Sequence, residues 1–399
     1  MPLDSLPAEN APLLGVHSSV TGRFWRQRSV SRRAADLAVQ QHGIDALLAD
    51  VVVGRGVSPD ELESFLSPSL KRQLPDPSVL MEMDGAAARL ADAVISRETI
   101  GIFGDYDVDG TTASALLSRY LREVGAEPLV HLPDRFTEGY GPSAAGLASL
   151  EQRGATLIVT VDCGSNHGAL LEPLSTDVMV LDHHKMSDRP EVAHLINPQR
   201  PGDQSGLGGL SAGGVAFMTL VALNRELRRR QYFGPGQEPK LVQYLDLVAL
   251  SLIADVMPLQ GLTRTLVSQG LKLIGDWQNA ETGNPGLRSL AQVAGLQGLP
   301  LASHLGFQIG PRINAAGRIG HAKVAFDLLM TDEPARANAI AQKLEALNKE
   351  RRRLEERVRR EAAAQISDDE NTSSGAVLIA AAEDWHPGVI GIVAGRLKE

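Results

Sequence analysis

The chain has 399 residues and a formal net charge of −9, and this length predicts two or three domains with ample chain for a sizeable hydrophobic core. Hydrophobic residues make up 43% of it and charged residues 22%, as in an ordinary soluble globular protein, and no run approaches the roughly 18 apolar residues of a membrane helix. The single cysteine, Cys163, excludes an intrachain disulfide and a cysteine-based zinc site. The composition therefore predicts a cytoplasmic protein with no membrane partner.

The N-terminal segment, residues 1–83, is predicted to be a tail followed by short helices. Residues 1 to about 20 contain proline and serine without hydrophobic periodicity, which is typical of a flexible terminus. Between Phe24 and Leu48, apolar residues scattered among charges suggest one or two helices. Ser58 to Glu61 has the cap, the proline and the acidic residues of a helix start.

An amphipathic helix predicted over 84–97 leads into a segment where short apolar runs alternate with helical patterns. The runs that predict strands are residues 100–103, 129–132, 156–161 and 178–181. Because parallel strands need crossover connections, this alternation predicts an α/β fold with a mostly parallel sheet and flanking helices. We assign residues 84–333 to this domain.

Acidic residues follow the first of these runs at alternate positions, as Asp105, Asp107 and Asp109. Carboxylates this close together at the exit of a buried strand repel one another unless a hard cation neutralises them. An EF-hand is excluded, because that loop needs a glutamate at its twelfth position, where this chain has Leu116. Two interpretations stay open for the isolated run, an acidic turn that caps the next helix and a divalent-metal site.

Further candidate ligands follow two other predicted strands and one apolar helix. Asp162 follows the third run, and Asp182-His183-His184 follows the fourth. Since ligands bind at the carboxyl ends of the strands in open parallel sheets, these residues are expected at the same edge as Asp105. The apolar segment 241–254 ends at Asp255, for which a capped, inert carboxylate and a metal ligand both remain open.

Two glycine-containing stretches in the second half are candidate phosphate contacts. Residues 205–214 form a glycine-rich loop, where simple flexibility is favoured over a phosphate cradle because the spacing matches no nucleotide fingerprint. Residues 307–318 are predicted to form a turn region that carries Arg312 and Arg318. These two side chains are either solvated surface arginines or phosphate contacts.

The last part of the chain is predicted to connect to a second domain. Residues 334–366 have a narrow apolar stripe with charges around it, which predicts a long linker helix whose basic residues are solvated. Residues 367–374 are predicted to be a linker, and residues 375–380 a strand that starts a second α/β domain over 375–399.

Ordered motifs in the chain resemble those of the DHH phosphoesterase superfamily, namely GDYDVDG, VDCG, DHH and ALSLIADVMPL. The stretches FQIGPRINAAGR, LNKERR and WHPGVIGIVAGR narrow the resemblance to the RecJ family of exonucleases, from about Trp25 to Glu399. The resemblance implies a metal-dependent hydrolase that degrades single-stranded DNA with a 5′ phosphate to mononucleotides, in the 5′→3′ direction, in DNA repair and recombination. A helicase and a single-strand-binding protein are the implied candidate partners.

The resemblance also implies a set of site residues. Two divalent metal ions, Mn or Mg, would be held by Asp105, Asp107, Asp162, His183 and Asp255. The catalytic residues would be Asp107, Asp109, His183 and His184, and the DNA contacts would be Arg135 (at the 5′ phosphate), Arg312, Arg318 and His386. The chemistry expected is direct attack by an activated water without a covalent enzyme intermediate.

The resemblance departs from the family at the C-terminus. RecJ proteins continue through the rest of a DHH-associated domain and an OB-fold, so the chain is expected to be a truncated member. Two alternative functions remain: a small-substrate DHH phosphodiesterase, of the oligonucleotidase or cyclic-dinucleotide type, and an inactive truncated scaffold. The motifs after Phe307 argue against the first, and the intact acidic set argues against the second.

Overall fold

The computed structural model describes residues 12–26, 28–187, 189–277, 283–368 and 377–398, with side chains of the long helix described to residue 366. The chain forms two compact units that divide between Gln73 and Leu74. The finer division predicted at residues 83, 333 and 366 stays a prediction. Most of the predicted linker, residues 369–374, lies outside the described residues.

The first unit is helical, as predicted. Its helices are α1 (Arg32–His42), α2 (Ala46–Val53), α3 (Leu62–Leu66) and α4 (Leu70–Gln73). A short 3₁₀ turn, Pro59–Glu61, precedes α3 at the predicted helix start, and Ser58 and Glu61 form a capping box there. The predicted tail is wrong for residues 12–20, because the backbone there folds back and Leu13 N donates to Trp25 O at 2.8 Å.

The second unit is built around a five-stranded parallel sheet with flanking helices, so the predicted α/β fold is confirmed. Its strands are β1 (Ile100–Gly104), β2 (Leu129–His131), β3 (Leu157–Val161), β4 (Asp177–Leu181) and β5 (His194–Ile196). The order across the sheet is β2-β1-β3-β4-β5. Strand β5 was not predicted, because three residues after a long irregular stretch carry too little hydrophobic pattern.

Helices flank the sheet and extend beyond it. Those of the second unit are α5 (Met83–Ile95), α6 (Val108–Glu123), α7 (Ala144–Gln152), α8 (Gly168–Leu171), α9 (Ala212–Arg229), α10 (Leu245–Ala254), α11 (Gly261–Ile274), α12 (Pro285–Val293), α13 (Ala302–His304), α14 (Gly310–Ile319), α15 (Lys323–Met330), α16 (Pro334–Asp368) and α17 (Pro387–Lys398). Across the described ranges, no helix combines the length and apolar character needed to cross a bilayer.

The register of the sheet aligns the residues that follow its central strands. The last residues of β1, β3 and β4 lie side by side, so Asp105, Asp162 and Asp182 leave neighbouring strands at one edge. Asp105 N still donates to Val161 O at 3.3 Å, and Asp162 N to Leu181 O at 3.0 Å. The chain connections run in opposite directions from the gap between β1 and β3, and ligand sites in doubly wound sheets lie at such a point.

The turn region predicted over 307–318 is wrong, since these residues are helical. A π-helical turn over Leu305–Ile309 continues into α14. Pro311 is tolerated because it lies in the first turn of α14. Gly317 allows a close approach, because a Cβ there would lie 2.7 Å from the Tyr106 carbonyl oxygen. Tertiary packing therefore overrides the weak helix propensity of Gly310 and Gly317 in this segment.

The strand predicted over 375–380 is also wrong for the residues that are described, 377–380. Next to them, Ala381 N donates to Gln365 Oε1 at 3.0 Å and Gln365 Nε2 donates to Ala381 O at 3.1 Å, so this backbone pairs with α16. The prediction that the arginines of α16 are solvated fails at Arg351, whose buried guanidinium donates to Glu355 at 2.9 Å.

Candidate metal centre

The first acidic group lies where β1 passes into α6. Asp107 is the N-cap of α6, and its Oδ1 accepts from Gly110 N at 3.0 Å. The interpretation as an acidic turn that caps the next helix is thus correct for Asp107. It accounts for only one of the two carboxylate oxygens of that residue. Asp105, Asp107 and Asp162 each place a carboxylate oxygen within 4.8 Å of the others, close enough to share one cation.

A second group surrounds His183, which β4 delivers to the same edge. His183 Nε2 lies 3.2 Å from Asp162 Oδ1, 3.5 Å from Asp109 Oδ2 and 3.6 Å from Asp255 Oδ2. Asp255 is the C-cap of α10, and about a third of its side chain is exposed. The ligand interpretation of this carboxylate is therefore the one that its surroundings favour.

Two candidate ligand atoms in the cluster are buried without a hydrogen-bond partner among the described residues, Asp105 Oδ1 and His183 Nε2. Leaving a buried polar atom unpaired costs about 1–3 kcal/mol. A folded protein retains such atoms at functional sites, where a ligand or an ion supplies the missing interaction. The residues present therefore fit a divalent cation.

Asp109 belongs to the group with His183 and Asp255, and its carboxylate is also held by hydrogen bonds from the protein. Its Oδ2 accepts from Ala212 N at 2.7 Å, and its Oδ1 accepts from Gly213 N at 3.0 Å and from the Ser251 hydroxyl. The two amides belong to the first turn of α9, where the helix dipole favours a negative charge. The glycine-rich loop thus leads to a helix terminus that binds a carboxylate of this chain.

Asp182 is also held by hydrogen bonds, and it orients His184. It accepts from the backbone N–H groups of Ser165, His183 and His184, and from His184 Nδ1 at 2.8 Å. On the other side of the imidazole, His184 Nε2 lies 3.1 Å from the hydroxyl of Tyr140. Tyr140 was not among the predicted site residues, because nothing in its local pattern places it beside a residue 44 positions away.

Burial and mutual repulsion change the acidity of the cluster. Burial raises the pKa of Asp105 to about 7, and the charge of Asp107 adds to the effect. Burial and the charge of Asp109 raise the pKa of Asp107, and they raise that of Asp162 well above its ordinary value. The same causes raise the pKa of Asp255 to about 6. A cation among these carboxylates would therefore be favourable, because it would relieve their mutual repulsion.

In the absence of divalent ions, this cluster is expected to lower the free energy of unfolding as the pH rises. The pKa of Asp105 is about 7 in the folded protein and has an ordinary value of 3.8, so the folded state holds a proton that the unfolded chain releases. The stabilising contribution is complete below about pH 4 and is lost as the pH rises through about 7.

Thermal unfolding from about pH 4 to 8 in EDTA measures this effect by comparison with Asp105→Asn, which removes the titrating group. As the pH rises, the unfolding temperature of the wild type is expected to fall steadily relative to that of the variant. Mn²⁺ is expected to restore the wild type at the upper end of the range. Parallel pH curves for the two proteins in EDTA would contradict the prediction.

A cavity of about 190 Å³ opens beside the carboxylates of Asp105 and Asp107. Arg135 and Arg318 line it together with Tyr140. The Arg135 guanidinium lies 5.1 Å from the centre of the Tyr106 ring, and burial and the charge of Arg135 lower the pKa of Arg318. Neither arginine forms an ion pair with the described carboxylates, so the cavity offers two positive charges to an anion.

The other two predicted DNA contacts lie in different surroundings. His386 is beside the loop that carries Arg135, with its ring centre 5.2 Å from that of Phe136. Arg312 does not reach the cavity: its buried guanidinium donates to Glu345 of α16 at 2.6 Å and to the Gln308 carbonyl at 2.7 Å. It lies on a different side of α14 from the residues that line the cavity.

Arg312→Ala is expected to lower the free energy of unfolding by about 2 kcal/mol, because it removes a buried guanidinium together with its hydrogen bonds to the partly buried Glu345 carboxylate and to the Gln308 carbonyl. Arg318→Ala, on the same helix, is expected to change stability little and to weaken binding of a 5′-phosphorylated strand. Urea unfolding and fluorescence anisotropy of the two variants separate these effects. If Arg312→Ala lost strand binding at unchanged stability, that result would support the DNA contact that the resemblance implied for Arg312.

Comparisons with known proteins agree with this geometry. Residues 99–252 match the model of the DHH family, N-terminal domain. A crystal structure of exonuclease RecJ bound to manganese is similar, with a TM-score of 0.69 and 35% sequence identity, and the match covers 80% of this chain and 77% of that one. The chain belongs to the RecJ family.

Other members of the family show the same relation over most of this chain. The RecJ of Bacillus subtilis is 33% identical over 94% of the chain, and that of Salmonella typhimurium is 36% identical over 94%. The Mn²⁺ complex of RecJ from Thermus thermophilus has a TM-score of 0.74 and 32% sequence identity, and the match covers 92% of this chain and 51% of that one. The chain spans 46% and 65% of the lengths of the first two relatives.

Proposed function

We propose that this protein is a metal-dependent exonuclease that hydrolyses single-stranded DNA to mononucleotides from its 5′ end, in DNA repair and recombination. The observation that carries the proposal is a pair of buried candidate ligand atoms without a hydrogen-bond partner, Asp105 Oδ1 and His183 Nε2, in a cluster of carboxylates within the described part of the chain. The cavity with two arginines beside that cluster supports a phosphate-containing substrate. The curated relatives are called single-stranded-DNA-specific exonucleases, which supports the choice of substrate.

Two divalent ions, Mn or Mg, are the proposed cofactors. Asp105, Asp107 and Asp162 form one candidate ligand group. Asp109, His183 and Asp255 form a second group, and Asp162, His183 and His184 form a third that shares residues with both. Carboxylate oxygens with one imidazole suit these hard cations, and RecJ structures contain Mn²⁺ or Mg²⁺. When bound, a pair of such ions makes a water more acidic and neutralises charge on the phosphate.

The remaining residues bind and orient the strand. Arg135 and Arg318 are proposed to hold the 5′ phosphate in the cavity, because neither forms an ion pair with a described carboxylate. The imidazole of His184 is held between Asp182 and Tyr140, and it is proposed to lie near the scissile phosphate. His386 is proposed to contact the strand from beside the Arg135 loop. None of these roles requires a covalent bond between enzyme and substrate.

The test is digestion of a 3′-labelled, 5′-phosphorylated single strand with Mn²⁺, beside a duplex of the same sequence. Progressive shortening of the single strand from its 5′ end is expected, and His183→Ala is expected to abolish it. Cleavage of dinucleotides without digestion of the strand would favour a small-substrate phosphodiesterase. Inactivity on both substrates would favour the scaffold.

Partners and location are also proposed. A helicase that supplies single strands and a single-strand-binding protein are the partners that this activity would need. A cytoplasmic location agrees with the composition and with a DNA substrate. Co-purification from cell extract with and without nuclease treatment would separate protein partners from proteins that are held only through DNA.

A further inference from the structure

We infer that residues 12–26 and 28–33 of the first unit form a second binding surface for single-stranded nucleic acid, centred on Trp25. The inference depends on the proposed function for the identity of its ligand. It concerns a different part of the chain from the metal centre, and it requires binding without hydrolysis.

Charge is the first observation. Between Pro12 and Ala35 the chain has five arginines and no aspartate or glutamate, although its net charge is −9. The local excess is therefore opposite in sign to the whole chain. A local cluster of arginines attracts phosphates independently of the overall charge.

Three of these arginines are available to bind phosphate. Arg28 donates to the Gly54 carbonyl at 3.0 Å, and Arg32 pairs with Asp50 at 2.8 Å. Arg23, Arg26 and Arg33 form no ion pair with the described part of the chain, and their side chains are exposed. Arg23 and Arg26 lie directly before and after the aromatic pair Phe24-Trp25 in the sequence.

The aromatic pair is the second observation. Phe24 is 47% exposed and Trp25 is 49% exposed, whereas another tryptophan, Trp277, is the largest of the fully buried side chains in the described ranges. Exposed aromatic rings beside unpaired arginines are the combination by which proteins stack bases and neutralise the backbone of a single strand.

The backbone holds Trp25 in a defined position. Leu13 N donates to Trp25 O at 2.8 Å, and Trp25 N donates to Val16 O at 3.4 Å. The turn between these two segments is closed where Ser19 N donates to Arg23 O at 2.8 Å. Because the backbone that carries the ring is already fixed before the ligand arrives, less conformational entropy is lost on binding.

A strand fits this surface better than a lipid headgroup layer. Interfacial membrane segments are amphipathic helices with a continuous apolar face. In the described residues 12–26, the helical structure is limited to the three-residue turn Leu13–Gly15. The aromatic pair with an arginine on each side instead offers rings to the bases of a strand and positive charge to its phosphates.

The experiment measures binding of the full chain to a fluorescein-labelled oligothymidylate of about 20 nucleotides by anisotropy in EDTA. Trp25→Ala is expected to weaken binding by about 5- to 150-fold, the range for one stacked base. Trp25→Phe retains a ring and is expected to weaken it less than about threefold. Phe307→Ala removes an exposed ring elsewhere (78% exposed) and is the matched control.

Two further readouts separate stacking from general instability. The emission of Trp25, taken as the difference between wild type and Trp25→Phe, is expected to be quenched by the unlabelled single strand and not by an abasic strand. The double variant Arg23→Ala/Arg26→Ala is expected to reduce the slope of log affinity against log salt by about 1.4, or about 0.7 for each arginine.

Unchanged affinity in Trp25→Ala together with no quenching would overturn the inference. Binding to vesicles of phosphatidylserine and phosphatidylcholine that depends on Trp25, without such dependence for the strand, would overturn it in favour of a membrane. Failure of the proposed function is distinguishable, because it appears as lost hydrolysis with Mn²⁺ while Trp25-dependent binding in EDTA persists.

Discussion

Asp162→Asn is expected to reduce hydrolysis of a 5′-phosphorylated single strand by roughly a thousandfold or more. Asp162 belongs to the group with Asp105 and Asp107 and also contacts His183, so its loss affects both parts of the candidate metal centre. Its backbone is left-handed, with φ of +63°, a conformation that asparagine tolerates. The change therefore removes a charge without forcing a new backbone conformation.

The same substitution is expected to raise the unfolding temperature in EDTA by about 2 °C or more, because one of several repelling carboxylates is gone. Steady-state kinetics, calorimetric titration with Mn²⁺ and thermal unfolding provide the three measurements. Glu127→Gln, at an exposed ion pair with Arg122, is the control and is expected to change none of them. Full Mn²⁺ affinity and activity in Asp162→Asn would refute the assignment of this carboxylate.

Gly110→Ala is expected to lower the free energy of unfolding by about 3 kcal/mol and to abolish Mn²⁺ binding. A Cβ at Gly110 would lie 2.6 Å from the backbone N and O of Asp105. Since these are backbone atoms of the turn that carries the candidate ligands, the strain cannot be relieved by rotating a side chain. The first turn of α6 would have to move away from the end of β1.

The control for this change is Gly391→Ala, which lies inside α17 with nothing within 4 Å of its added Cβ. That substitution is expected to stabilise the protein by about 0.5–1 kcal/mol, because alanine is the better helix former. Urea unfolding of both variants, with Mn²⁺ titration of the folded proteins, measures the contrast. Equal stability of Gly110→Ala and wild type would show that the first turn of α6 can move away from the end of β1 at no cost in free energy.

The candidate ligands could be predicted to a large extent from sequence, because they follow strands. Apolar runs identified β1, β3 and β4, and parallel strands end at a common edge, so Asp105, Asp162 and His183 were expected together. Helices with several glycines were harder. Residues 307–318 were predicted to be a turn, since local propensity disfavours a helix that packing against Tyr106 stabilises.

Roles that depend on a single long-range contact were beyond prediction. Arg312 and Arg318 have the same residue type on one short segment, yet the first pairs with Glu345 and the second lines the cavity. Which of two arginines faces a cavity depends on the rotation of the helix, and that rotation is set by every residue that packs against it.

The sequence by itself determined the α/β class, the order of the main strands along the chain and the resemblance to the RecJ family, because hydrophobic period and motif spacing are properties of the chain. Only the tertiary structure decided that the amides of α9 hold Asp109 and that Tyr140 contacts His184. These pairs are 103 and 44 residues apart in the chain. Contacts at such separations arise from packing, which no local pattern encodes.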